Sequence, residues 1–209
     1  MARQSGEAML RLRVALCFFF VCATFLAACA GEPILEPGHA EKIKEVLGYA
    51  LAPTYLPKGF KYDPGIDNCD PVSIIGDTST VTQMYTKAVL GKQSVWIGMM
   101  YPSIAGKSNF TMETLGLEVP EDAISEMDIN GITAYLFHGN WSNDTINQIA
   151  RAEVPDNPKW DYNNIISIRF AIDVPDYGRV WVSLRTVMPT DEVNDKDLVR
   201  IARSVVVLK

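Results

Sequence analysis

Asn130-Gly131 stands between two runs of branched and aromatic residues, 123–129 and 132–138. A type I′ turn needs positive φ at both central residues, and Asn-Gly adopts it readily, so this segment predicts a β-hairpin and hence antiparallel pairing. Residues 80–89, 93–101, 164–173 and 179–187 have the same strand-forming composition. Leu90-Gly91-Lys92 would join the first two of these, and Pro175-Asp176-Tyr177-Gly178 the last two. In the final run Val180, Val182 and Leu184 fall on one face, while Arg179, Trp181, Ser183 and Arg185 fall on the other. That alternation suits a sheet with one face covered by helices and one facing water.

Two amphipathic helices would supply the cover. Ile43, Val46, Leu47, Ala50 and Leu51 recur at helical spacing opposite Glu41, Lys42, Lys44 and Glu45, which predicts a helix over 40–51 stopped by Pro53. Near the other end Asn194 can cap a helix whose first turn holds Asp195 and Asp197 and whose stripe is Leu198, Ile201, Ala202 and Val205. The expectation is an α+β fold, one twisted antiparallel sheet of about six strands packed by an N-terminal and a C-terminal helix, with strand order left open. At 48% hydrophobic, a chain of 209 residues can bury one sizeable core, so residues 40–209 read as one domain. Residues 102–118 and 139–162 lack firm periodicity and are expected to be loops.

The beginning of the chain has a different character. Residues 1–13 are net positive, and residues 14–28 (VALCFFFVCATFLAA) carry no charge and end in small side chains. This is the plan of a cleaved secretory signal, and the run is short of the roughly 20 apolar residues a membrane-crossing helix needs. Leu26-Ala27-Ala28-Cys29 resembles the bacterial lipobox, which implies cleavage before Cys29 and a diacylglycerol with palmitate-type chains on its thiol. At about 0.8 kcal/mol per buried methylene, two or three such chains hold a domain at the membrane. The expected organisation is a lipoprotein signal at 1–28, a Pro- and Gly-rich tether at 29–39, and the domain at 40–209. Of the four cysteines only Cys69 would then remain a thiol, with Asp67 and Asp70 beside it disfavouring the thiolate.

A second likeness rests on Ala52-Pro53-Thr54-Tyr55-Leu56-Pro57-Lys58-Gly59-Phe60 and on Asp197-Leu198-Val199-Arg200-Ile201-Ala202-Arg203-Ser204-Val205. These segments resemble the uncharacterised group catalogued as domain of unknown function 4367. The group occurs in bacterial lipoproteins and in the extracytoplasmic part of membrane-bound anti-sigma-type regulators, and the likeness covers about residues 50–207. It implies no reaction, substrate or catalytic residue. The first motif also has a plain physical meaning: Pro57 and Gly59 set a turn, and Tyr55, Leu56 and Phe60 pin it to the core.

Charge and motif content narrow the chemistry. Beyond residue 28 the chain holds 16 basic and 24 acidic groups, net −8, which argues against nucleic acid as a partner because phosphate binding needs clustered cations. Tyr101 through Gly106-Lys107-Ser108 approaches a phosphate-binding loop, but Tyr101 stands where its first glycine belongs. His39 and His138 are the two histidines, and no metalloprotease, serine-hydrolase or paired-cysteine motif is present. Asp67, Asp70, Asp77, Asp156, Asp161, Asp173 and Asp176 could offer oxygens to calcium, but they lack the EF-hand register and read as solvated turn residues. No metal or other cofactor is expected. Trp141 and Trp160 bracket a polar stretch with Asn140, Asn143, Asn147 and Asn157, a mixture suited to stacking on sugars or anchoring a protein contact.

The resulting expectation is a lipid-anchored, extracytoplasmic envelope lipoprotein that binds or senses rather than catalyses. Cys29 is its lipid-attachment residue, and Trp141 and Trp160 are its candidate contacts to an envelope protein, glycan or lipid. Two alternatives are a carrier or sensor of lipidic ligands with a cavity under a curved sheet, and an envelope hydrolase built on paired carboxylates.

Overall fold

The computed structural model describes residues 31–64, 72–75, 78–90, 94–103, 117–151, 153–186 and 192–209. The hairpin at Asn130-Gly131 forms as expected, with φ of 53° and 85° at the two turn residues. It joins β6 (Ile124–Ile129) to β7 (Ile132–Trp141), and β7 pairs antiparallel with β8 (Trp160–Val174), which the Pro175 turn connects to β9 (Gly178–Thr186). A second hairpin pairs β4 (Thr78–Lys87) with β5 (Val95–Tyr101), and β5 lies against β9. Two short strands, β2 (Lys61–Asp63) and β3 (Val72–Ile75), share the far edge of β4 end to end. The sheet is open and runs β2-β4-β5-β9-β8-β7-β6, with β3 beside β2 on β4.

Eight strands in this sheet replace the six expected. The additional two are three and four residues long, and β2 (Lys-Tyr-Asp) has no apolar alternation to mark it. A separate two-stranded ribbon pairs β1 (Ala50–Pro53) with β10 (Val205–Leu208). Ala50 and Leu51 of β1 and Val205 of β10 fall in the stripes of the expected helices, whereas the rest of both strands lies beyond them. The first helix, α1, spans Pro37–Leu47 rather than 40–51, because Gly48 turns left-handed (φ 80°) and its N–H bonds back to Lys44. Proline at the first helical positions lets α1 begin inside the expected tether, and Ile34 and Leu35 before it pack against the core. Ile34 N–H also donates to Pro53 C=O (2.8 Å), so these residues are docked.

The second expected helix, α3 (Asp195–Ser204), has the predicted start. The Asn194 side chain accepts from Lys196 and Asp197 N–H groups, and Asp197 reaches back to Asn194 N–H. Together these bonds make a reciprocal cap. Its stripe of Leu198, Ile201 and Ala202 is buried. The core lies between this stripe, Ile43 of α1, the fully buried β1 and one sheet face made by Val81, Tyr85, Ile97, Met99, Ile168, Phe170, Val182 and Leu184. In the Tyr55–Phe60 motif Phe60 N–H bonds to Pro57 C=O (3.1 Å) and Phe60 is buried, while Tyr55 and Leu56 pack on the core. Residues 33–209 cluster as one unit.

Candidate functional site

The segment 139–162, expected as a loop, is largely regular. β7 continues to Trp141, α2 (Asn143–Ala150) follows at once, and β8 begins at Trp160. Ser142 caps α2 by accepting from Thr145 N–H (3.4 Å), and the buried Thr145 hydroxyl in turn accepts from Lys159 N–H (3.1 Å). Ser142 N–H donates to Lys159 C=O (2.8 Å), so the helix is fastened to the start of β8.

Trp141 and Trp160 are register partners across β7 and β8. Their rings meet edge to face at 5.4 Å and 82°. A bulge between His138 and Asn140 prepares this contact, since Gly139 takes φ 100° and Trp160 Nε1 donates to His138 C=O (2.9 Å). A Cβ at Gly139 would stand 2.5 Å from both Asp161 O and Trp160 Nε1, so glycine is required at the bulge. Trp141 is 6% exposed, and its Nε1 is a buried donor that finds no acceptor among the described residues. Asn140 faces the same space, whereas Asn143, Asn147 and Asn157 are exposed.

That space is a hollow of about 310 Å³ on the sheet face opposite α1 and α3. Ile146 of α2 and Val119 border it along with the tryptophans, and Phe137 and Met100 contribute apolar floor. β8 and β9 supply alternating polar floor, with Ser167 opposite Arg185 and Arg169 opposite Ser183. The guanidinium carbon of Arg169 lies 4.8 Å from the centre of the Phe137 ring, and that of Arg185 lies 6.0 Å from the Trp96 ring. Burial lowers the Arg169 pKa below the ordinary arginine range. Arginine remains cationic even so. Among the described residues the lining contains both arginines and no carboxylate, histidine or cysteine. It can therefore attract, stack and donate hydrogen bonds.

The other expected site residues are scattered. Cys29 lies outside the described residues, as do Cys69, Asp67, Asp70, Asp77 and Gly106-Lys107-Ser108. His138 stands 3.6 Å from Asp195, and His39 stands 3.1 Å from Glu36. Asp173 bonds Arg179 across the last hairpin, and that guanidinium pulls its carboxyl below the usual range. Asp156 and Asp176 are exposed, and Asp161 accepts from Asn163 N–H (2.9 Å). No group of three or more His, Cys, Asp or Glu side chains among the described residues could hold a metal. The tryptophans are thus the expected pair that the fold brings together, and Arg169, Arg185, Phe137 and Gly139 are members of the site that sequence reasoning missed. Arg169 carried a signal: it interrupts Ile165-Ile166-Ser167-Ile168-Arg169-Phe170-Ala171-Ile172, where an arginine on a sheet face needs company.

The described residues define an α+β domain with an aromatic and cationic hollow on one face of an open antiparallel sheet. Comparison with protein-family models, with curated proteins and with solved structures finds no match.

Proposed function

We propose that the chain is an exported lipoprotein, moored through Cys29 on the extracytoplasmic side of a membrane, whose domain binds a small ligand in the hollow between α2 and strands β7 to β9. The binding is non-catalytic in this reading. The observation that carries it is the juxtaposition of the Trp141–Trp160 pair with Arg169 and Arg185 around one concave space. A volume of about 310 Å³ suits a small molecule, since such sites occupy about 300–1,000 Å³. The anchor rests on sequence, namely the charge-free run ending in Leu26-Ala27-Ala28-Cys29. No helix among the described residues is long and apolar enough to cross a membrane. The likeness of the Tyr55–Phe60 and Asp197–Val205 motifs to domain of unknown function 4367 supports the same placement, because that group includes lipoproteins.

Growing cells on an alkyne palmitate analogue tests the anchor. The native protein should take up label and fractionate with membranes, whereas Cys29→Ala should do neither. Equal labelling of the two would remove the lipid anchor from the proposal.

A further inference from the structure

The outward stripe of α3 differs in charge from the chain as a whole. Lys196, Arg200 and Arg203 stand at i, i+4 and i+7, so they share one helix face, and all three are exposed. Arg200 lies 3.8 Å over the Tyr55 ring, and Arg203 Nη2 donates to Asp128 C=O (3.2 Å). Both partners are uncharged, so neither cation is neutralised by them. The nearby carboxylates have partners of their own: Asp195 stands 3.6 Å from His138, Asp197 accepts from Asn194 N–H (3.2 Å), and Asp128 accepts from Gly131 N–H (3.1 Å). Beside the stripe runs an open groove of about 380 Å³ whose apolar part is Met127, Leu136 and Val199.

The start of the domain docks at the same place. Ile34 N–H donates to Pro53 C=O, Pro53 pairs with Val205, and the N–H groups of Thr54 and Tyr55 both bond to Ser204 at the end of α3. Cys29 precedes Ile34 by five residues, which extend to at most about 18 Å. Lys196 and Arg203 are only about 10 Å apart along the helix axis. A bilayer that holds a lipid on Cys29 therefore passes close to the stripe.

We propose that the α3 stripe rests on the bilayer, with Lys196, Arg200 and Arg203 against the phosphates of anionic lipids and the hollow, on the opposite sheet face, open to the outside. This rests on the Cys29 mooring proposed above and adds to it a lipid class and an orientation. Beyond residue 28 the chain is net −8, but salt screens exposed charges beyond about 8–10 Å, so the cations on the facing surface dominate at contact. A basic patch beside an acyl anchor strengthens the hold, because both attractions act on the same surface.

Lysine footprinting tests it. The native full-length protein is reconstituted in vesicles of phosphatidylcholine, alone or with phosphatidylglycerol at three to one, and floated. It is then acetylated with a membrane-impermeant N-hydroxysuccinimide ester, and each lysine is followed by mass spectrometry. Lys196 should react about five-fold more slowly on the phosphatidylglycerol vesicles, whereas Lys159, exposed beside α2, should react equally on both. Raised sodium chloride should restore the Lys196 rate. Substituting Arg200→Gln and Arg203→Gln together should restore it too, scored only if circular dichroism matches the native protein; otherwise the native footprint decides. Flotation with both vesicles and equal Lys196 rates would overturn the lipid-facing stripe while leaving the mooring in place. Equal slowing of Lys159 and Lys196 would overturn the orientation. Flotation with phosphatidylglycerol alone, with Lys196 slowed, would support the stripe and overturn the mooring, and flotation with neither would remove both.

Discussion

Gln83 is a polar side chain at 1% exposure in the middle of an apolar core, and every hydrogen-bonding atom of its amide is engaged. Its Nε2 donates to Leu51 C=O (2.8 Å) and to the Tyr101 hydroxyl (2.9 Å), and its Oε1 accepts from the Tyr85 hydroxyl (2.7 Å). Leu51 N–H donates to the Tyr101 oxygen as well (3.0 Å), so side chains of the large sheet serve the backbone of β1. Burial, the leading cause in each case, pushes the Tyr85 and Tyr101 phenols far up and Tyr62 up to about 12. A phenol whose pKa is raised by folding contributes fully below its unfolded value near 10, and the contribution is lost as pH climbs toward the folded value. Above about pH 10 the unfolded chain binds fewer protons, so stability should fall by about 1.4 kcal/mol per pH unit for each such phenol. Urea melts between about pH 8 and 11 should show a plateau and then a decline, with the share of phenolate absorbance that belongs to Tyr85 and Tyr101 rising only as the protein unfolds. Ionisation of these tyrosines in a fully folded chain would contradict the account.

Elements were legible in the sequence where their determinants are local. The Asn130-Gly131 turn, the Pro175 turn and the Asn194 cap each depend on a few adjacent residues and formed as expected. Boundaries set by distant partners were not legible. Ala50 and Leu51 keep helical spacing after α1, yet β10 claims them as strand, and Val205 leaves the stripe of α3 for the same pairing. α2 is only eight residues long, and its place is fixed by the bonds of Ser142 and Thr145 to Lys159, fourteen or more positions away. The site shares this limit. Two tryptophans in a polar stretch stood out, whereas Arg169 and Arg185 looked like an ordinary wet sheet face, since their place beside the tryptophans follows from the pairing of β7, β8 and β9. Ser142→Ala should therefore weaken α2 by about 1 kcal/mol, the usual worth of a hydroxyl cap. Hydrogen exchange would show faster opening of Asn143–Ala150 with β8 and β9 protection unchanged. Unaltered exchange in α2 would mean that packing of Ile146, not the cap, holds the helix.

At the scale of the whole molecule the decisive contact is the pairing of the earliest strand with the last. Ala50 lies opposite Leu208 and Pro53 opposite Val205, and Ser204 C=O accepts from both the Thr54 N–H and the Thr54 hydroxyl. Lys44 adds a bond to the Lys209 carbonyl (3.0 Å). Ending the chain at Ser204 would uncover Ala50, Leu51 and Ala52, which are wholly buried. At about 1.5–3 kcal/mol for a large apolar side chain, exposing Leu51 and removing the buried Val205 together should cost about 3 kcal/mol or more, visible as a lower urea midpoint. A truncated protein with the native midpoint would show that β10 is dispensable.

The hydrogen bond between the Thr54 hydroxyl and Ser204 closes a span of 150 residues. Contacts of that separation form late, because a long loop must be closed before they return anything. During synthesis β1 waits without its ribbon partner until every other strand of the domain has left the ribosome. For a chain threaded start-first through a translocation pore, as its proposed destination demands, this delay keeps the polypeptide pliable for the whole passage and defers closure of the interior until the final residues arrive on the far side.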